Sequence, residues 1–431
     1  MMIKIDIENA VNFVNKSELD DARKKADDAY RKIENGSGQG SEWLGWRRIL
    51  SEPNDAELEE IRDHATRIRE DADVFIVCGI GGSYTGAMAV IKALNPIFKN
   101  NGPEILFAGH HMSGKYLKEL IEYLEVPNDE GELKSVYINV ISKSGSTLET
   151  ALAFRMLRSW IHEKYENPGD RIIATTGPEG GVLNQIIVKE GYKKYIIPED
   201  VGGRFSVLTP VGLLPIAVAG IDIQRLFYGA VSMFEQEKND RKALRDYAAI
   251  RYLMHENGYA VDVIGSFEPE LNGFTAWIQQ LIGESEGKEG KGLYPALAGF
   301  STDLHSVGQL IQEGRRNLFE TLIVVDHPMS DLKVNRGEDE NIDQLNYLTG
   351  KSFHEINRSA LDGTVQAHSE GGVPVCKVVI DKLNEQSLGE LIYFYELFTA
   401  LYVYMLRVNP FDQPGVEDYK KAMYRLLGKG N

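Results

Sequence analysis

An apolar strand that runs into glycines and hydroxyls and then resumes as a helix constrains this chain more than any other feature. The stretch is VCGIGGSYTGAMAV, residues 77–90. Gly79, Gly81, Gly82 and Gly86 let the backbone approach a ligand closely, and the amides that open the helix point at an anion. A phosphate suits such a loop. A dinucleotide suits it less: G-x-G-x-x-G spacing would need glycine where Tyr84 stands, and the next strand, EILFAGHH, does not end on an acidic residue to hold a ribose. Glycine-rich strand-to-helix turns also serve close packing alone, so one such loop does not identify a ligand.

A second loop of the same kind follows. VISKSGSTLET, residues 140–150, again leaves a strand and opens a helix, with Ser142, Ser144, Ser146 and Thr147 arranged around Lys143. Ser and Thr before a helix are ordinary caps, but Thr147 followed by Thr150 lacks the capping-box acid, and one cap does not need four hydroxyls. Hydroxyls with helix-terminal amides suit a phosphate monoester. Strand-like runs DVFIVCG, EILFAGHH, SVYINVIS, RIIATTG and KKYIIPED alternate with helix-length segments, which implies a parallel sheet with helices on both faces. After an apolar stretch at 206–223, a second series follows in YAVDVIGSF, LFETLIVVDH and VPVCKVVID. The expected fold class is therefore α/β: two tandem parallel-sheet αβα sandwiches, at 56–225 and 226–407. A helical N-terminal arm (1–55) precedes them, and a turn with a C-terminal helix (408–431) follows. Two neighbouring loops at the carboxyl ends of a parallel sheet form the crevice where such folds bind ligands.

Composition narrows the occupant. A net charge of -17 spread along 431 residues argues against binding nucleic acid or an anionic membrane, so an anionic ligand must be held by local cations. Cys78 and Cys376 both fall in strand-like runs, which reads as two buried thiols in a reducing compartment. The start, MMIKIDIENAVNFV, lacks the pattern of a secretory signal, so a cytoplasmic protein is expected. SVLTPVGLLPIAVAGIDI carries Pro210 and Pro215, and LGELIYFYELFTALYVYML carries Glu390 and Glu396, so both read as core helices rather than membrane spans. NRGEDENIDQ reads as a solvated loop.

Charged residues within apolar surroundings are the candidates for chemistry. Arg204, between Gly203 and Phe205, needs an anionic or polar partner; either a structural ion pair or stabilisation of charge developing in a reaction supplies one. In WIQQLIGESEGKEGKG, Glu284 directly follows an apolar helix with Gln280 one turn earlier, a setting suited to proton abstraction, whereas Glu286 and Glu289 read as a solvated helix end. His305 reads locally as a polar residue opening a helix, and Lys420 as a surface cation on the last helix. No H-E-x-x-H, paired C-x-x-C or Walker loop is present, which leaves metal hydrolysis and nucleotide-triphosphate chemistry without support.

DVGGRFSVLTPVG and YMLRVNPFDQPGVEDYK, with GIGGS, SKSGSTLET and HSVGQLIQEG in order around them, resemble the glucose-6-phosphate isomerase family built on sugar-isomerase (SIS) domains. The resemblance covers nearly the whole chain. It implies reversible aldose–ketose isomerisation of D-glucose 6-phosphate through a cis-enediol, without metal or other cofactor. It also implies a homodimer in which His305 reaches the partner's site. By the same resemblance Glu284 is the proton shuttle, Arg204 steadies the enediolate, and His305 with Lys420 opens the sugar ring. Gly82, Ser83, Ser142, Lys143, Ser144, Thr147, Gly203, Gln280 and Gln413 are then substrate contacts. Gly145 and Ser146 depart from the bulkier or threonine residues of many animal relatives, and Pro414 from their tryptophan. Two other readings accompany this one: a phosphosugar-binding SIS regulator without activity, and an isomerase acting on both glucose and mannose 6-phosphates.

Overall fold

The computed structural model describes residues 3–98, 102–337 and 341–428, so the first two residues of the arm, the centre of the charged segment 335–344 and the last three residues lie outside it. Ten strands are described: β1 (Lys4–Asp6), β2 (Val74–Cys78), β3 (Glu104–Ala108), β4 (Val136–Ile141), β5 (Ile172–Thr176), β6 (Lys193–Ile196), β7 (Val261–Ser266), β8 (Tyr294–Gly299), β9 (Leu318–His327) and β10 (Val375–Lys382). They form two five-stranded sheets, ordered β3-β2-β4-β5-β6 and β1-β10-β9-β7-β8. The first is parallel throughout. Its strand β2, VFIVC, is buried at every position, as a strand covered on both faces must be.

The α/β class therefore stands, with one difference in the arm. Its first residues are not helical: β1 pairs antiparallel with β10, Lys4 opposite Val379, and closes the edge of the second sheet. The arm helix Lys16–Glu34 follows the same unit, with Arg23 Nε donating to Asp246 at 2.8 Å and the Tyr30 hydroxyl donating to the buried Glu237 at 3.3 Å. Sequence alone leads the arm into the first unit; its long helix packs on the second, while Trp43 and Arg48 later in the arm meet Lys143 and Asp200 of the first. Nor does the sequence signal β8, because an edge strand containing Pro295 and Gly299 lacks the apolar run that marks the central strands.

Both apolar stretches are core helices, and no described helix is long and apolar enough to cross a membrane. Pro210–Val218 is buried at every residue, with Pro210 in its first turn and the Thr209 hydroxyl accepting from the Val211 amide. Glu385–Met405 is buried from Ser387 to its end. Cys78 and Cys376 are both free and buried, and burial pushes the Cys78 thiol up to about 12.

What matters for the site is the order of strands. From β2 the chain crosses to β3 on one side and then returns to β4 on the other, so the switch point lies between β2 and β4, where the Gly79–Ser83 and Ser142–Thr147 loops leave the sheet.

Candidate active site

The glycine loop runs against a loop from elsewhere in the chain. At Gly82 a Cβ would lie 2.1 Å from the Gly203 carbonyl oxygen and 2.7 Å from the Arg204 nitrogen, so only glycine permits this approach. A second element closes over it. The helix Asn272–Glu286 follows β7 of the second sheet yet packs on Thr85–Leu94, the helix that the glycine loop opens. Across that contact the Thr85 hydroxyl donates to Gln280 Oε1 at 2.6 Å, and Gln280 Nε2 donates to Glu284 Oε1 at 2.9 Å.

Arg204 sits behind that carboxylate with 1% of its side chain exposed. Its Nε donates to Ser285 Oγ at 2.7 Å, one Nη to the Pro410 carbonyl at 2.5 Å, and the other faces Glu284 Oε2 at 3.5 Å. Burial pulls the guanidinium down to about 10 while Glu284 and Asp412 hold it up, so it stays charged at neutral pH. The Glu284 side chain is 32% exposed, with one oxygen on an amide and the other towards a fixed cation. A carboxylate held this way reaches a proton at the crevice, and the guanidinium meets negative charge formed beside it.

The backbone around Glu284 is anchored from below. Gly283 does not end the helix; it continues through Glu286. Glu286 is fully buried and takes two bonds from Arg251, at 2.6 and 2.9 Å, while Arg251 Nε donates to Asp262 on β7 at 2.8 Å. The reading of Glu286 as a solvated helix end is thus corrected, whereas Glu289 is exposed as expected. The triad ties the last turn, and Glu284 with it, to the second sheet.

The serine loop is held by its own hydroxyls and by β5, where the Thr176 hydroxyl donates to the Ser142 carbonyl at 2.7 Å. Ser142 Oγ accepts from the Gly145 amide at 3.1 Å, and Ser144 Oγ accepts from both the amide and the hydroxyl of Ser146. Ser83 and Thr147 make no side-chain hydrogen bond among the described residues, and Thr147 does not cap Leu148–Lys164, so both hydroxyls are open to a ligand. The side chain of Lys143, expected as a substrate contact, is engaged within the protein. Its ammonium donates to the carbonyls of Glu199 and Val201 at 2.7 and 3.0 Å and lies 4.4 Å over the Trp43 ring, fastening this loop to the segment that leads to Arg204.

The structure brings Gly82, Gly203, Arg204, Gln280 and Glu284 together. It does not bring His305 or Lys420 to them. His305 ends the turn Thr302–His305 rather than opening a helix, is exposed, and makes no side-chain hydrogen bond or ion pair among the described residues. Lys420, on Glu417–Leu426, pairs with Glu417 at 2.8 Å, which raises its pKa. Gln413 is half-buried and makes no side-chain hydrogen bond among the described residues. Sequence reasoning missed Thr85, Ser285, Lys288 and Asp412. The Lys288–Asp412 pair, at 2.8 Å, borders a cleft of about 600 Å³ that also contains Asn409 and Pro414. Among the described residues no group of three or more His, Cys, Asp or Glu is placed to hold a metal ion.

Comparisons with known proteins give the family of this chain and the likeness of its fold. The family model described as phosphoglucose isomerase matches residues 67–428. The glucose-6-phosphate isomerase of Staphylococcus aureus (strain Newman) is 44% identical over 434 residues, 99% of this chain and 96% of that one. A solved structure of a hypothetical protein from Thermus thermophilus superposes with a TM-score of 0.89 at 27% identity, covering 99% of this chain and 100% of that one. A glucose-6-phosphate isomerase from Chlamydia trachomatis superposes with a TM-score of 0.80 at 18% identity, covering 96% and 86%, a likeness of fold.

Proposed function

Because the chain belongs to the phosphoglucose isomerase family, we infer that it interconverts D-glucose 6-phosphate and D-fructose 6-phosphate, an aldose–ketose isomerisation. Glu284 removes the C2 proton of the open-chain aldose and, once the C2 hydroxyl proton has passed to O1, returns it at C1 as the C2 carbonyl forms. The electron pair left at C2 forms the C1–C2 double bond of a cis-enediolate, and the former carbonyl oxygen takes the negative charge. Arg204 meets that charge. Its guanidinium is already fixed by Ser285 and Pro410, so little reorganisation is needed as the charge forms. The phosphate sits between the Ser83 end of the glycine loop and the hydroxyls of Ser142, Ser144 and Thr147, supplying binding energy remote from the reacting carbons. Lys143 shapes this cradle through its carbonyl contacts.

Ring opening belongs to His305 and Lys420. Membership of the family supports a homodimer whose partner subunit donates the histidine. Buried free thiols support residence in the reducing cytoplasm.

One observation carries this reading: the Glu284 carboxylate, held by Gln280, faces a buried guanidinium beside the glycine loop. Two experiments test it. Turnover in heavy water should place deuterium at the exchanging carbon, and Glu284→Gln should lower both turnover and the rate of that labelling about 10³-fold while fructose 6-phosphate still binds; labelling at the wild-type rate would remove Glu284 as the base. Mixing inactive Glu284→Gln and His305→Ala chains should restore activity, since each hybrid dimer then has one complete site. Mixtures that stay inactive would count against the donated histidine.

A further inference from the structure

Beneath the serine loop, between the helices Leu148–Lys164 and Gly181–Glu190, lies a cavity of about 430 Å³ that Arg204, Glu284 and the glycine loop do not line. One wall is apolar, with Val140, Phe154 and Leu183 buried and Ile186 beside them, while Thr150, Ser159 and His162 also line the cavity. The serine loop closes one end through Gly145 and Thr147. Gly145 adopts φ +68°, and a Cβ there would sit 2.9 Å from the Leu183 amide, so the loop leans on the start of Gly181–Glu190 without a side chain to fill the space.

Charge marks the other end. Arg158 is committed, donating to Glu190 at 2.6 Å and to the Tyr192 hydroxyl at 3.0 Å. Arg155 lines the same cavity, and its guanidinium makes no hydrogen bond or ion pair among the described residues. A concave slot of this size, with a buried apolar wall, the open Thr147 hydroxyl and the exposed Arg155 guanidinium without a partner among the described residues, has the parts from which small-molecule sites are built.

We propose that this cavity is a binding site for a small amphipathic anion, an aromatic or short aliphatic body carrying one carboxylate, sulfonate or phosphate that pairs with Arg155. Its occupant touches Gly145 and Thr147 from below, and so biases the conformation of the loop on which the phosphate rests. Binding there and binding of substrate are coupled, each altering the other by the same factor. The coupling, though not the site itself, rests on reading the serine loop as the phosphate cradle.

The probe is 1-anilinonaphthalene-8-sulfonate, titrated into the full-length protein by fluorescence and by calorimetry. One molecule should bind per chain. Arg155→Gln should weaken binding by about tenfold, the value of one charge-assisted contact. Ala151→Trp, a change at a wall position of the cavity, should remove it while the melting temperature holds. Saturating probe should shift the KM for fructose 6-phosphate in the wild type and leave it unchanged in Ala151→Trp. Absence of binding, binding that neither variant alters, or strict competition with inorganic phosphate would each overturn the site. The phosphate reading has its own test: if Thr147→Val leaves the KM for fructose 6-phosphate untouched, that reading fails while the probe stoichiometry still stands or falls alone.

Discussion

The carboxyl ends of the two sheets share a topology and differ in chemistry. In each, a strand is flanked by its successor on one side and the next strand on the other, β2 between β3 and β4, β7 between β8 and β9, so each has a switch point. At the first, the loops are glycines and serines, with the cation Arg204 brought against them. At the second, Phe267, Glu268 and Pro269 follow β7, and Phe300 and Ser301 follow β8. That crevice, about 620 Å³, is lined by Glu268, Glu270 and Asp331. Burial, with Glu270 and Asp331 nearby, pushes the Glu268 carboxyl up. A dianionic phosphate would be attracted to the first crevice and repelled by the second. Equal folds thus carry unequal sites, because the loops and not the sheet choose the ligand.

The sharpest way to break this comparison is to neutralise one carboxylate in each crevice. Glu284→Gln should lower kcat by about 10³-fold, the scale of a lost general base. Glu268→Gln should leave kcat within about twofold, because no transition-state contact is lost. Equal losses in a coupled assay would show that both crevices serve the reaction. Next in size, Arg204→Lys should cost about 10²-fold in kcat, since an ammonium cannot meet Ser285, Pro410 and Glu284 at once; near-normal turnover would show that charge alone suffices.

Glycines give a smaller contrast. Gly82→Ala drives a methyl into the backbone of Gly203 and Arg204, and should destabilise by about 1–3 kcal/mol and lower kcat/KM about tenfold. Gly299→Ala at the end of β8 meets only the Asn272 side chain, 3.1 Å away, which can turn aside, so its effect should stay within about 0.5 kcal/mol. Thermal unfolding of the pair checks this.

The smallest effect on turnover concerns the core shared by both units. Glu396 lies fully buried in Glu385–Met405, neither carboxylate oxygen has a partner among the described residues, and burial alone holds its pKa well above the ordinary 4.5. A raised carboxyl keeps its proton in the folded state while the unfolded chain releases it. Its contribution to stability is therefore fully present below the unfolded pKa and is lost as pH rises towards the folded one, by up to about 1.4 kcal/mol per pH unit. Glu396→Gln lacks that loss, so urea unfolding should show its advantage growing from pH 5 to pH 8 with kcat unchanged. Parallel pH profiles would contradict it.

Much of the fold was legible because its signals are local. A continuous apolar run marks β2 as a strand buried on both faces, β4 follows it with Asn139 as its one polar residue, and the glycine and serine clusters after them mark loops that open helices. β1 and β8 were not legible. KID is three residues long and only partly buried, and YPALAG has just two buried positions and holds a proline and a glycine, so neither reads as a run. Glu286 misled for the same reason: its neighbours GESEGKEGKG are polar, and the Arg251 and Asp262 that bury it come from other elements. Lys143 could be seen as a cation in a loop, but not that the carbonyls of Glu199 and Val201 would take its ammonium.

The amino-acid sequence by itself determined the alternating α/β class, the glycine and serine loops that follow β2 and β4, and the residue types from which an isomerase site can be assembled, since these follow from short-range patterns of apolar, glycine and hydroxyl positions. Only the tertiary structure decided which of them meet. A helix from the second unit crosses onto the first, puts Glu284 against Arg204, and leaves His305 and Lys420 apart from that pair, because packing of distant apolar faces fixes those distances and no local pattern encodes them.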